Sequence, residues 1–302
     1  MDRASEAIHL KWAHENKIFG QNIGVAVLDT GICYHPDFTE TRNRIIAFRD
    51  FINRREDLYD DNGHGTHVSG ILGGDGISSG GIYTGVAPCC NIISVKVLNH
   101  KGNGNIADVL DGLEWVIANK KRYNIRIVNI SVGTTTKEPA DEDSVLVKAV
   151  NQVWDAGIIV VVAAGNGGPK PKTIGSPGIS RKVITVGASD DDIMVDLFGS
   201  KTKNYSGRGP TSACIKKPDI VAPGSNIVSC NLTRRFHNLY TAKSGTSMAT
   251  PMVTGAIALL LSRYPEMSSR EVKIRLKNSA DDLGLSHEKQ GWGMLNVERL
   301  LN

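Results

Sequence analysis

Four polar residues stand where apolar segments of this chain begin or end, and together their side chains could carry out nucleophilic catalysis. Asp29, in Asp29-Thr30-Gly31, closes the apolar run Val25-Ala26-Val27-Leu28. A carboxylate at the end of a buried strand is costly unless something donates to it, so Asp29 reads as a turn residue or as a group that orients an imidazole. His64, in Gly63-His64-Gly65-Thr66-His67, opens a short Gly-rich helix, where a mobile imidazole suits a general base. Ser247, in Gly245-Thr246-Ser247-Met248-Ala249-Thr250-Pro251, leads into the apolar stretch Met252–Leu261. At a helix start it is a cap, or a nucleophilic oxygen placed where the dipole and free amides favour negative charge. Asn166 follows the strand-like Val160–Ala163 and is a turn residue or an amide donor for an oxyanion.

Other chemistries fit less well. His64 and His67 are three residues apart, whereas the zinc-protease helix needs a spacing of four with a Glu between. The five cysteines include the adjacent Cys89 and Cys90 but no C-x-x-C, so neither a disulfide framework nor a structural zinc is indicated. Gly102-Asn103-Gly104-Asn105-Ile106-Ala107 imitates a dinucleotide fingerprint. However, Asn99, His100 and Lys101 separate it from the strand ending at Leu98, and Val128-Asn129 ends the next strand without an acidic residue for a ribose.

The elements that must position these groups alternate along the chain. Short β-branched runs at Ile23–Leu28, Ile92–Leu98, Ile125–Ile130, Ile158–Ala163 and Val183–Val186 read as buried strands. Between them, 106–121 and 143–154 carry apolar residues at helical spacing. The pattern predicts an α/β fold, a mostly parallel central sheet with helices on both faces, in a single domain over 1–302 with 1–16 as an N-terminal extension. Open parallel sheets bind ligands beyond the carboxyl ends of their strands, which is where Asp29 and Asn166 fall.

Asp, then His, then Ser is the order of the subtilisin triad, and the chain resembles the subtilisin-like serine proteases. Asp29-Thr30-Gly31, His64-Gly65-Thr66-His67-Val68-Ser69-Gly70 and Gly245–Pro251 are similar to that family's three signatures, and the likeness runs from Lys17 to Leu300. It points to a bacterial, intracellular-type subtilisin. The resemblance implies an endopeptidase in which Ser247 is the nucleophile, His64 its base and Asp29 the group orienting the base, with Asn166 and the Ser247 amide as oxyanion donors. It also implies an extended peptide lying between two strands, Ser131-Val132-Gly133 and Gly102-Asn103-Gly104, with the pocket for the residue before the scissile bond walled by Ser131–Gly133 and Ala163–Gly165 and ending near Gly175. That pocket is expected to favour a large apolar residue, and Asp60 and Asp61 a basic residue one position upstream. No cofactor is needed for the chemistry. A structural calcium is expected at Asp37, beside the Gly-rich loop 73–81, while Asp190-Asp191-Asp192 reads as solvated acids. The rival is a catalytically silent subtilisin-fold binding module.

Composition agrees with an enzyme acting on polypeptide. Basic and acidic residues, 35 and 31, leave a formal charge of +4 with no long basic block, so nucleic acid is not an expected partner. The longest strongly apolar stretch, Met252–Leu261, is about half of what a membrane span needs. The start, Met1-Asp2-Arg3-Ala4-Ser5-Glu6, lacks an apolar leader, which gives a cytoplasmic expectation, or a secreted one for a trimmed chain.

Overall fold

A computed structural model describes residues 1–132, 142–197, 199–232 and 238–302. Seven parallel strands form the central sheet: β1 (Gly24–Asp29), β2 (Ile45–Asp50), β3 (Asn91–Lys96), β4 (Ile125–Ile130), β5 (Ile159–Ala163), β6 (Ile184–Ala188) and β9 (Ile220–Ala222). Two small antiparallel pairs lie outside it, β7 (Val195–Leu197) with β8 (Ser200–Thr202) and β10 (Ile227–Cys230) with β11 (Tyr240–Lys243). The longer helices are α4 (His64–Gly73), α5 (Ile106–Asn119), α6 (Val145–Asp155), α7 (Thr246–Arg263) and α8 (Ser269–Ser279). Shorter ones are α1 (Asp2–Ala7), α2 (Leu10–Glu15), α3 (Pro36–Thr39), α9 (His287–Gln290) and α10 (Val297–Leu301).

Sheet order is β2-β3-β1-β4-β5-β6-β9. The first strand is therefore central, and the chain builds first on one side of it and then on the other. That change of side opens a crevice at the carboxyl end of β1, where Asp29 is the last residue. Successive side chains of a strand point to opposite faces, and here both faces are covered. Val25 and Val27 join a core with α4 and α7, whereas Ala26 and Leu28 join a second core with α5 and α6. Two covered faces explain why β1, β5 and β6 are apolar without alternation.

Helix ends follow local chemistry. Asn105 caps α5 by accepting from Asp108 N, Ser144 caps α6 by accepting from Val147 N, and Ser268 with Glu271 forms a capping box on α8. Ile106 and Val145, expected on the buried faces of α5 and α6, are instead exposed at the first turns. Residues 1–16, the N-terminal extension, pack onto the main core through Ile8, Leu10 and Ala13. No helix among the described residues is long and apolar enough to cross a membrane.

Candidate active site

Asp29 is 1% exposed, and its carboxylate takes the His64 Nδ1–H at 2.8 Å to Oδ1 and 3.0 Å to Oδ2. Thr30 N also donates to Oδ1 at 2.7 Å. With Nδ1 carrying its proton toward Asp29, Nε2 of His64 is left with a lone pair, as a base requires.

The start of α4 is tied to the turn after β1 by residues that are not themselves reactive. Gly65 N donates to Thr30 Oγ1 (2.9 Å), which donates to Asp60 Oδ1 (2.9 Å). Asp60 also accepts from Asn62 N, Gly63 N, and both Thr66 N and Thr66 Oγ1. Burial pushes the Asp60 pKa up, but hydrogen bonds from Gly63 N, Thr66 and Asn62 N outweigh it and hold the carboxyl below its ordinary range. At Gly65 a side chain would come within 2.2 Å of Gly31 O, so only glycine lets the two segments meet.

Ser247 is the second residue of α7, and its hydroxyl donates to Ser131 O at 2.7 Å. Among the described residues it makes no hydrogen bond to His64. The Ser247 carbonyl would ordinarily accept from the residue four positions on, but that residue is Pro251, which has no N–H. Ser131 Oγ supplies the missing bond at 3.0 Å and is itself held by Asn129 Nδ2 at 2.9 Å, while Thr254 Oγ1 donates to Asn129 Oδ1 at 2.8 Å. Asn166 Oδ1 accepts from Thr246 N and Thr246 Oγ1, both at 3.0 Å. A backbone N–H can only donate, so the atom it meets must be the amide oxygen, and Nδ2 is left as a free donor. Gly245 leaves room for it, since a side chain there would lie 3.2 Å from Nδ2. The Ser247 N–H is among the first four of its helix and has no partner within it.

The expected cleft walls gather around these groups, with two corrections. Pairing of Ile130 with Val162 sets Ser131 and Val132 beside Ala163 and Ala164. Gly165 N donates to Thr246 Oγ1, and a side chain at Gly165 would lie 3.6 Å from Gly175 N, so Gly165 and Gly175 adjoin the start of α7. On the His64 side, Asn62 Nδ2 donates to His100 O, just before Gly102 and Gly104. Among the described residues neither flank is a strand: β4 stops at Ile130, and 99–103 is a turn in which Asn99 Oδ1 accepts from Lys101 N and Asn103 N. Gly133 lies outside the described residues. Second, neither Asp60 nor Asp61 is a free acid for a basic substrate residue, because Asp60 is saturated and Asp61 pairs with Lys96 at 2.7 Å.

His67 is buried, and its Nε2 meets Ile227 O and Thr241 O, so it pins β10 and β11 and faces no ligand. Burial lowers its pKa to about 3. Asp37 does not fit calcium. Its carboxylate accepts from Tyr240 OH (2.7 Å), Ser78 N (3.1 Å) and the Cys230 thiol (3.7 Å), with His35 Nδ1 at 3.7 Å. Calcium takes six to eight oxygens, whereas this cluster offers one carboxylate beside nitrogen and sulfur. Nearby Asp75 Oδ2 is buried without a partner, but it is a single acidic oxygen. Asp190 and Asp191 are not solvated acids either. Asp190 accepts from Gly224 N and Ser225 N, and Asp191 is fully buried, accepting from Ser206 N.

A buried carboxylate oriented on an imidazole, a helix-start serine and a free amide donor now lie at one crevice. Residues 20–293 match the profile of the Subtilase family, Peptidase S8. The chain belongs to the subtilase family. It is 44% identical over 301 residues to "Serine protease AprX" of Bacillus subtilis strain 168, covering 93% of this chain and 66% of AprX. It is 35% identical over 282 residues to "Subtilisin DY" of Bacillus licheniformis, covering 92% and 90%. This chain thus spans about two thirds of AprX and nine-tenths of subtilisin DY. A solved cold-adapted subtilisin-like serine proteinase superposes with a TM-score of 0.72 at 29% identity, over 92% of this chain and 90% of that one. The cytoplasmic placement is overturned by these relatives, which include a "Minor extracellular protease Epr" of Bacillus subtilis, 32% identical over 97% of this subtilase.

Missing from the sequence reading were Thr30, Lys96, Asn129 and Thr254, and Asp60 had been given a different role. Asn129, a polar side chain inside an apolar strand, carried a signal, since such groups are buried only with partners. The others are residue types whose default is a solvated surface.

Proposed function

We propose that this subtilase cleaves peptide bonds through Ser247, His64 and Asp29, with Asn166 as the side-chain oxyanion donor. It is a serine endopeptidase, and the chemistry needs no cofactor. The observation that carries the reading is the orientation of two groups at one crevice. Asp29 fixes the His64 tautomer, and Thr246 fixes which end of the Asn166 amide is free.

Catalysis starts when the Ser247 hydroxyl leaves Ser131 O and turns to His64 Nε2. His64 takes its proton as the oxygen attacks the scissile carbonyl carbon, and Asp29 stabilises the imidazolium that forms. Negative charge on the carbonyl oxygen is met by Asn166 Nδ2–H and the Ser247 N–H. His64 then delivers its proton to the leaving amine. The acyl-enzyme is hydrolysed by a water that His64 deprotonates in turn. Substrate lies extended along Ser131–Gly133 and Gly102–Gly104, through backbone bonds indifferent to sequence. The side chain before the scissile bond enters the slot between Val132, Ala163, Gly165 and Gly175. Among the described residues no charge lines that slot to pair with a cation, so Phe, Leu or Met is preferred over Arg.

The test is labelling by a fluorophosphonate. The parent should label at Ser247 and cleave an apolar peptide amide, while Ser247→Ala and His64→Ala should do neither and still fold. Activity of either variant within tenfold of the parent refutes the assignment.

A further inference from the structure

Lys96, the last residue of β3, lies in register with Asp29 on β1 and is 0% exposed. Its ammonium donates to Thr30 O at 2.6 Å, to Asp61 Oδ1 at 2.7 Å and to Leu98 O at 2.9 Å, and lies 4.9 Å from the centre of the Tyr59 ring. Three acceptors use all three N–H groups of a lysine. Each acceptor belongs to a different part of the site. Thr30 follows Asp29, Asp61 precedes His64, and Leu98 leads to the wall at Gly102–Gly104.

Stability alone is a weak reason for a cation at this position. Replacing a buried ion pair by apolar side chains of similar volume is commonly neutral or stabilising, because the pair has lost its hydration. What an apolar residue could not do is hold three separate segments at fixed spacing through directed bonds, or balance the charge of Asp61, which is 33% exposed.

We propose that Lys96, paired with Asp61, is a positioning residue for the Asp29–His64 pair, acting from beneath the cleft without touching substrate. It sets the spacing between the turn after β1, the loop before α4 and the exit of β3, and it cancels a carboxylate charge beside the base. The charged and titratable groups around this point include Asp29 on β1, Asp50 on β2, Tyr59, Asp60 and Asp61 in the loop before α4, His64, and Arg55, whose guanidinium lies 4.1 Å from the centre of the Tyr59 ring. His67 follows along α4, with Lys243 of β11 acting on it. Asp50 and Asp60 are engaged by backbone donors, so the Lys96–Asp61 pair is the adjustable part.

The inference rests on the assignment of Asp29 and His64 above, and the experiment separates the two. Lys96→Met, Asp61→Asn and the double variant are compared with the parent in thermal melts, in kcat and KM, and in the pH dependence of kcat/KM on one peptide amide. Lys96→Met should fold and lose about tenfold in kcat, with KM nearly unchanged. Its acid limb should move to higher pH, because an uncompensated Asp61 favours the imidazolium. Asp61→Asn should move the acid limb to lower pH, because Lys96 is then uncompensated, and the double variant should return it toward the parent. Opposite displacements are a signature that loss of packing does not produce. Limbs that stay in place or move together overturn the inference while leaving the protease reading intact. A parent that neither labels nor cleaves defeats the reading itself. Should Lys96→Met fail to fold, Asp61→Asn decides alone, and an unmoved acid limb with parental kcat overturns the proposal.

Discussion

Ser131 and Ser247 hold each other by two reciprocal hydrogen bonds, the Ser247 hydroxyl to the Ser131 carbonyl at 2.7 Å and the Ser131 hydroxyl to the Ser247 carbonyl at 3.0 Å. On the proposed mechanism, the first parks the nucleophile on the carbonyl that an incoming peptide N–H would use. The second exists because Pro251 cannot donate.

Ser131→Ala leaves the Ser247 carbonyl and Asn129 Nδ2 without partners in the interior, which should cost about 1–3 kcal/mol in a denaturant melt. Pro251→Ala in that background restores a backbone N–H four residues from Ser247 and should recover part of the loss. Strict additivity of the two changes would show that the proline and Ser131 are not coupled in this way.

Asn166→Leu removes the free amide donor and should lower kcat by about 10²–10³, the loss seen for one such donor in a related subtilisin, with little change in KM. Asn166→Asp keeps the oxygen that Thr246 uses and should lose kcat all the same. A KM effect at constant kcat would place Asn166 in ground-state binding.

His67 ties acid stability to the packing of α4 against β10 and β11. Burial lowers its folded pKa from 6.5 to about 3, so the folded chain keeps it neutral where the unfolded chain binds a proton. Its contribution is complete above about pH 6.5 and is lost as pH falls toward about 3, with a slope of at most about 1.4 kcal/mol per pH unit. His67→Gln should have a flatter acid limb in denaturation midpoint against pH. Parallel limbs would contradict the burial argument.

Asp37 is supplied with donors by Tyr240, Ser78 and Cys230, so melts in EDTA and in added calcium should coincide. Tyr240→Phe should lower the melting temperature in both. A calcium-dependent rise abolished by Asp37→Asn would show that the cluster rearranges around the ion.

Much of the fold was legible because burial on both faces of a sheet writes itself as unbroken β-branched runs. β4 was read to the residue, and β1, β3, β5 and β6 to within two. Asp29, His64, Asn166 and Ser247 stood out because each is polar at the edge of an apolar segment. What could not be read were contacts between distant segments made by ordinary polar types. Asp60 and Asp61 were expected to favour a basic substrate residue, yet one is the hub of the His64 loop and the other is tied to a buried lysine. Asp37 was expected to hold calcium from the family resemblance, and nothing in its sequence neighbourhood announces Tyr240 and Cys230, which arrive from about two hundred residues later in the chain.

The central position of β1 has a consequence for biosynthesis. The strand bearing Asp29 and the helix bearing His64 are made early, but α7 follows β4, β5, β6 and β9, the strands it covers. A chain still emerging from the ribosome therefore carries the imidazole without the hydroxyl. It is harmless to itself and to neighbouring nascent chains until most of the sheet is in place to receive Ser247.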